Sequence, residues 1–471
     1  MDHGGRPSHR WEDGGGGSMN VLKKCCYRSL KENRKRTAVT IVGVILASAL
    51  ITAVACMMVS LRVSMLAYEK KQNGDWHYYF QGVARENLKY FENNKNIEKI
   101  AIEEDIGYAV LEGSQNADKP YLCLQALNKA CEEALSLTLV EGRMPENDRE
   151  LVIGRHIRSN GLKDIRVGDV LDLAVGDRFF EGNKLNQNNP YLYDEETFIP
   201  VFEREYTVVG IVERPNYMSE PRTAPGYSVY TVLEDEKETE KLNIYVNYTK
   251  WGLKHGEEVT AGILGVEPEL YHRYVSGTDY TEEEERQIFT VAEAVKENYW
   301  MVKWELLSFS SGTMNMLYAM SALAILVIVV TSIFCIRNSF VISLTEKMRM
   351  YGRLASVGTT SAQQKKIIYY EASFLGMVGI PLGIISGLAA AWILVYLVGG
   401  MIEDAIGIKL VFGMSLPAVL AAALLSAVTI FLSASKSAKR AARLSPIAAI
   451  RANDTDRKSV VESEESSHTK I

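Results

Sequence analysis

The sequence is poor in the groups that carry covalent chemistry. Its 471 residues include seven histidines and six cysteines, and these nowhere gather at metal-ligand spacing. No Gly-x-Ser-x-Gly turn offers a nucleophile, and no G-x-x-x-x-G-K-[ST] loop is present to cradle phosphates, so ATP hydrolysis is not assigned to this chain. No enzyme activity, metal or cofactor of its own is expected, and no nucleic-acid partner. So few cysteines also exclude a disulfide scaffold. Only Cys123 and Cys131 fall in the long acidic middle of the chain, where they read either as one disulfide or as two buried thiols.

Charge is the other absence. Thr37–Leu61, Asn315–Ile336, Phe374–Val398 and Met414–Leu432 contain no Asp, Glu, Lys or Arg. A helix crosses the roughly 30 Å hydrocarbon core of a bilayer with about 20 apolar residues, and a charge at its centre costs several kcal/mol. Each of these stretches therefore reads as a span, although a mean hydropathy of -0.05 for the whole chain suggests a soluble protein. Without an intramembrane carboxylate or other charge, the spans suggest neither an ion relay nor a polar conduit.

Charges elsewhere set the expected orientation. Lys and Arg crowd the segments before the first span (Lys23, Lys24, Arg28, Lys31), between the second and third (Arg337, Lys347, Arg349, Arg353) and after the fourth (Lys436, Lys439, Arg440), which places those segments in the cytoplasm. Residues 62–313 hold 28 Lys and Arg against 45 Asp and Glu, a balance of -17, leaving +11 for the remainder of a chain whose net charge is -6. The expected fold class is an α-helical polytopic membrane protein with four transmembrane helices and a large α+β extracytoplasmic domain inserted between helices 1 and 2.

Segment by segment, residues 1–18 read as a disordered tag or linker and 19–36 as a basic amphipathic helix on the inner membrane surface. The spans are 37–61, 315–336, 374–398 and 414–432. Residues 62–313 form the outer domain, 337–373 a cytoplasmic coupling segment, and 433–471 a basic tail disordered at its end. In the outer domain, β-branched and aromatic runs predict strands at Glu150–Gly154, Val170–Val175, Tyr206–Val212, Tyr227–Leu233 and Leu242–Tyr248. Helices are expected at Asn128–Leu137 and after Thr281, which forms a capping box with Glu284.

The coupling segment carries the most specific pattern. Val341, Leu344, Met348, Tyr351 and Ala355 recur at spacings of three and four, an apolar helical stripe, while Glu346, Arg349 and Arg353 share another face. Gly358 ends this helix as a left-handed cap, and Ser361 with Gln364 forms a capping box for the next. A rigid helix-turn-helix of this kind either lies on anionic headgroups or docks on a partner. Gly379, Gly383 and Gly387, four residues apart, make a small-residue face on the third span, suited to close packing with a helix of the same chain or of another.

The stretch EKMRMYGRLASVGTTSAQQKKIIYYEA (Glu346–Ala372) resembles the signature between the second and third spans of FtsX-like and MacB-like permeases of ABC transporters. RLSPIAAIR (Arg443–Arg451) is similar to the tail of that family. EGRMPENDRELVIG, LKDIRVGDVLDLAV and YTVVGIV resemble its MacB-type outer core domain. The resemblance implies a permease subunit of the bacterial cell membrane with both termini cytoplasmic. A separate ABC ATPase subunit would bind the ATP and Mg, and would be contacted by Glu346, Lys347, Arg349, Tyr351, Gly352, Leu354 and Gly358. It further implies a second permease copy or half as partner, or a chain that is part of a longer permease. The substrate would be hydrophobic or amphipathic: a peptide, an antibiotic or a lipid-linked molecule. A second reading is a mechanotransmitting receptor or regulator that senses a ligand or activates a cell-wall enzyme without moving cargo.

Overall fold

The structure, a computed structural model, describes residues 28, 30–31, 34–193, 195–234, 241–306, 312–356 and 359–442. The expected tag at 1–18, most of the basic helix at 19–36, Gly358 and the tail from Arg443 lie outside the described residues. The chain divides into two compact units, one holding residues up to Val63 and from Met316 onward, the other Ser64–Asn315.

The first unit is built on four long helices: α1 (Arg34–Asn73), α2 (Gly312–Ser356), α3 (Ser361–Ile406) and α4 (Leu416–Ala441). All four are long and apolar enough to cross a membrane, so this is a multi-pass membrane protein with four candidate spans. At about 1.5 Å per residue, the 45 residues of α2 reach roughly twice the thickness of the hydrocarbon core. Residues 337–356 and 361–373 thus continue the helices of the uncharged stretches without a break. Bulky side chains such as Ile385, Trp392 and Leu424 point outward, while Gly383, Ala391, Ser426 and Ala434 are buried. Lipid tails are as apolar as leucine, so close packing between helices falls to the small residues.

The second unit carries one mixed eleven-stranded sheet among its described residues. Its strands are β1 (Tyr78–Ala84), β2 (Ile97–Val110), β3 (Tyr121–Leu127), β4 (Leu139–Gly142), β5 (Glu150–Gly154), β6 (Val170–Phe180), β7 (Asn183–Leu185), β8 (Thr197–Val212), β9 (Gly226–Val232), β10 (Lys241–Tyr248) and β11 (Ala294–Glu297). Hydrogen-bonded neighbours run β11-β1-β10-β2-β3-β9-β5-β8-β6-β7, and β2 pairs β6 as well. Six strands from β2 to β6 therefore close on themselves. Closure occurs where Tyr108 meets Gly176, and there a Cβ on Gly107 would come within 2.7 Å of the Gly176 carbonyl oxygen. Gly107 also holds a φ of 144°, a backbone conformation that side chains disfavour. Inside the ring lie Leu122, Leu124, Leu151, Ile153, Val175, Val208 and Val229.

The long β2 also leaves the ring to join β10, β1 and β11. Alternation then serves two faces. Leu242, Ile244, Val246 and Tyr248 of β10 pack with Phe80 of β1, Phe91, and helices that include Val259, Leu270 and Ile288, whereas Tyr245 turns to the opposite face with Trp76 and Tyr79.

Two local expectations change, and one left open is decided. The helix expected over Asn128–Leu137 is a single turn, Ala130–Ala134, because Ser136 takes a positive φ of 52° and the Asn128 side chain accepts a hydrogen bond from the Ile102 amide of β2. The capping box at the start of α3 belongs to Thr360 and Gln363, one residue before the expected pair: the Gln363 amide donates to Thr360 Oγ1 and the Thr360 amide to Gln363 Oε1. Cys123 and Cys131 are free buried thiols on different elements, and Cys131 Sγ donates to the Ile102 carbonyl at 3.1 Å. The capping box of Thr281 and Glu284 forms as expected.

Candidate functional site

The hairpin of α2 and α3 holds a pair of opposite charges that its apolar surroundings make conspicuous. Lys347 on α2 donates from Nζ to Glu371 Oε1 of α3 at 2.8 Å, and the two side chains are 7% and 9% exposed. One turn earlier on α2, the Ser343 hydroxyl lies 3.4 Å from the same oxygen, the outer limit of a hydrogen bond. On the same helices Leu344, Ile367, Ile368, Ala372 and Leu375 form one buried apolar cluster with Ile430, Ala434 and Ala438 of α4. Two ions withdrawn from water are held by their mutual attraction, and separating them leaves an uncompensated charge. The pair therefore braces the extension of α2 against α3.

The glycine face sits on the same helix, farther along. Gly379, Gly383 and Gly387 are all buried against α1. A Cβ on Gly379 would fall 2.4 Å from Val44 Cγ1, on Gly383 2.4 Å from Ser48 Cβ, and on Gly387 2.5 Å from the Ala49 carbonyl oxygen. Val44 and Ser48 repeat at the same four-residue interval, so two helical faces mesh in one register with backbones in close approach. Beyond α3, the Gly413 amide donates to Ser60 Oγ of α1 at 3.0 Å, which ties the connection to α4 onto the first helix.

These contacts sort the residues singled out from sequence. The three glycines meet α1 of their own chain. Lys347 turns inward to Glu371, so its ammonium is engaged within the bundle. Glu346, Arg349, Tyr351, Gly352 and Leu354 lie on the helical backbone of α2, of which only the backbone is described there, and Gly358 lies outside the described residues. Glu371 had not been singled out as a site residue. Its signal was available: Lys347 and Glu371 lie 11 and 13 residues either side of Gly358, where the sequence reads as a turn, and in an antiparallel hairpin such positions face each other.

Residues 322–446 match the family model described as FtsX-like permease C-terminal. Comparison with curated proteins finds no match. Among solved structures, the chain is similar to the extracellular domain of the noncanonic ABC-type transporter YknZ from Gram-positive bacteria, with 10% identity, a TM-score of 0.26, and coverage of 44% of this chain and 96% of that one. The periplasmic region of MacB from Actinobacillus actinomycetemcomitans matches at 9% identity and TM-score 0.28, covering 46% of this chain and 99% of that one. A domain of a putative permease protein from Porphyromonas gingivalis matches at 10% identity and TM-score 0.24, with 40% and 79% covered. The match at 322–446 takes in most of the α2–α3 hairpin with its buried ion pair, and the whole of α4. The chain carries an FtsX-like permease domain.

Proposed function

We propose that this chain is the membrane subunit of an ABC-type transporter, worked by a separate ATPase through the end of the α2–α3 hairpin. The observation that carries this reading is the FtsX-like permease match across that hairpin, in a sequence that has no phosphate loop of its own. ATP and Mg belong to the partner. The end of α2 beyond Lys347 fills a groove on that partner, while Glu346 and Arg349 steer the pairing. Closure of the ATPase dimer pushes on the hairpin, and the Lys347–Glu371 brace carries the push into α3 as one body. The glycine contacts pass it to α1, which leads into the α+β domain. Two permease copies or halves form the complex in the bacterial cell membrane, with both termini in the cytoplasm. The spans carry no charge along their uncharged stretches, so the cargo is hydrophobic or amphipathic and leaves from the lipid.

The test is co-expression of the full chain with a phosphate-loop ATPase encoded beside it. Copurification is expected, and reversing charge at Glu346 and Arg349 together should abolish it. If the ATPase never copurifies, or the reversal makes no difference, the proposal fails. A cysteine placed at Arg353 should react with a membrane-impermeant maleimide only after the inner face is opened, and labelling in intact cells would invert the orientation.

A further inference from the structure

The α+β domain contains an acceptor-rich cavity that nothing in the permease reading uses. Glu103 and Asp105 stand two residues apart on the same face of β2. Glu103 is 2% exposed at the floor, whereas Asp105 is exposed at the mouth. Two amide side chains bridge them from the neighbouring strands. Gln125 Nε2 of β3 donates to Glu103 Oε1 at 2.9 Å and to Asp105 Oδ1 at 3.1 Å. Asn243 Nδ2 of β10 donates to Glu103 Oε1 at 3.1 Å and to Asp105 Oδ2 at 3.0 Å. Tyr245 OH donates to Glu103 Oε2 at 3.1 Å.

The remaining valences are nearly all acceptors. With its NH2 group committed to the two carboxylates, the orientation of the Gln125 amide is settled, and its Oε1 is left without a partner on a side chain only 4% exposed. A buried carbonyl without a donor is uncommon in a native fold and marks a place where something is received. Asp105 retains open lone pairs beside it. Burial, with Asp105 adjacent, pushes the Glu103 carboxyl up to about 8, so near neutral pH Glu103 holds a proton.

Space is available for a ligand. Asp105 and Asn243 line both a cavity of 280 Å³ and a smaller one of 30 Å³ that reaches Glu103 and Gln125. One wall is stiff: Arg178, fully buried, grips Glu196 at 2.6 and 2.8 Å and donates to the carbonyls of Asn186, Asn189 and Pro190, which fixes Asn186 at the rim of both cavities. The lysines at the rim are engaged with other groups. Lys184 pairs with Asp177 at 2.8 Å, Lys241 pairs with Glu293, and Lys296 lies over the Tyr79 ring at 5.9 Å.

We propose that this cavity binds a primary ammonium group, received by Asp105 and the free Gln125 carbonyl. An ammonium brings three donors and no acceptor, the complement of what the cavity leaves unfilled. A bare divalent cation fits less well, because it needs six or more oxygens and would face the NH2 groups that Gln125 and Asn243 direct at the carboxylates. Such an amine comes from a chain N-terminus or from a lysine side chain.

Calorimetric titration of the full chain in detergent separates the two sources. Gly-Gly-Gly-amide offers only an α-amine, acetyl-Gly-Lys-Gly-amide only a side-chain amine, and acetyl-Gly-Gly-Gly-amide neither. At least one of the first two should bind below about 10 mM while the third does not. Asp105→Asn, which removes the charge at the exposed mouth and exchanges one acceptor of the amide bridges for a donor, should weaken that binding about tenfold or more. If none of the three binds, if the acetylated glycine peptide binds as well as the amines, or if Asp105→Asn leaves the affinity unchanged, the proposal is overturned. None of these outcomes depends on an ATPase.

Discussion

Replacing Lys347 by alanine leaves the Glu371 carboxylate without its cation, on helices that share the buried cluster of Leu344, Ile367, Ile368 and Leu375. With both side chains less than one-tenth exposed, solvent reaches the stranded charge only if the hairpin opens. Removing one partner of a buried pair costs about 3–5 kcal/mol, whereas exchanging both for apolar residues of similar volume is about neutral. Ser343, at 3.4 Å, is too distant to take over. Since about 1.4 kcal/mol is tenfold in an equilibrium constant, Lys347→Ala and Glu371→Ala should each raise the unfolding constant by about a hundredfold or more. The double variant Lys347→Met, Glu371→Leu should stay near the parent. Loss of helicity on titrating SDS into purified protein in mild detergent measures all four proteins on one scale. Single variants within about 0.5 kcal/mol of the parent, the range of ordinary surface changes, would refute the brace. So would a double variant that loses as much as the two singles combined.

Two further outcomes follow from contacts already described. Gly383→Ala places a Cβ 2.4 Å from that of Ser48 and should cost about 1–3 kcal/mol, while Gly400→Ala, with nothing within 4 Å, should be neutral or slightly stabilising; thermal unfolding in detergent compares them. For Glu103, a carboxyl raised to about 8 when folded binds a proton that the unfolded chain has released, so its contribution to stability is fully present below about pH 4.5 and is lost as pH rises to about 8. The α+β domain should therefore lose melting temperature across that window in the parent and lose much less of it in Glu103→Gln, and equal slopes would refute the assignment.

Much of the architecture was legible in the sequence because its signals are local. Freedom from charge over about 20 residues has one physical outcome in a bilayer, and three of the four stretches lie wholly within long helices, the fourth beginning two residues before α4. Five strands were visible from β-branched and aromatic runs, Glu150–Gly154 with the bounds the structure gives β5. Short elements escaped for the opposite reason. The single turn at Ala130–Ala134 depends on Asn128 bonding to a strand 26 residues away, and β7 is held by pairing with β6. Thr360 and Ser361 both satisfy the capping pattern, and only the backbone at the turn selects the first.

By itself, then, the chain's pattern of apolar runs determined how many candidate spans it has and where the α+β domain is inserted, since transfer into lipid depends on composition and length alone. Tertiary structure decided which groups meet. It turned Lys347 from a surface contact into the partner of Glu371, set the glycine face against α1, and brought Glu103, Asp105, Gln125 and Asn243 from three strands to one cavity. Those pairings rest on contacts between residues 140 positions apart in the cavity and more than 300 apart at the glycine face. No window along the chain is wide enough to contain them, and their energies exist only once packing has excluded water from the groups that meet.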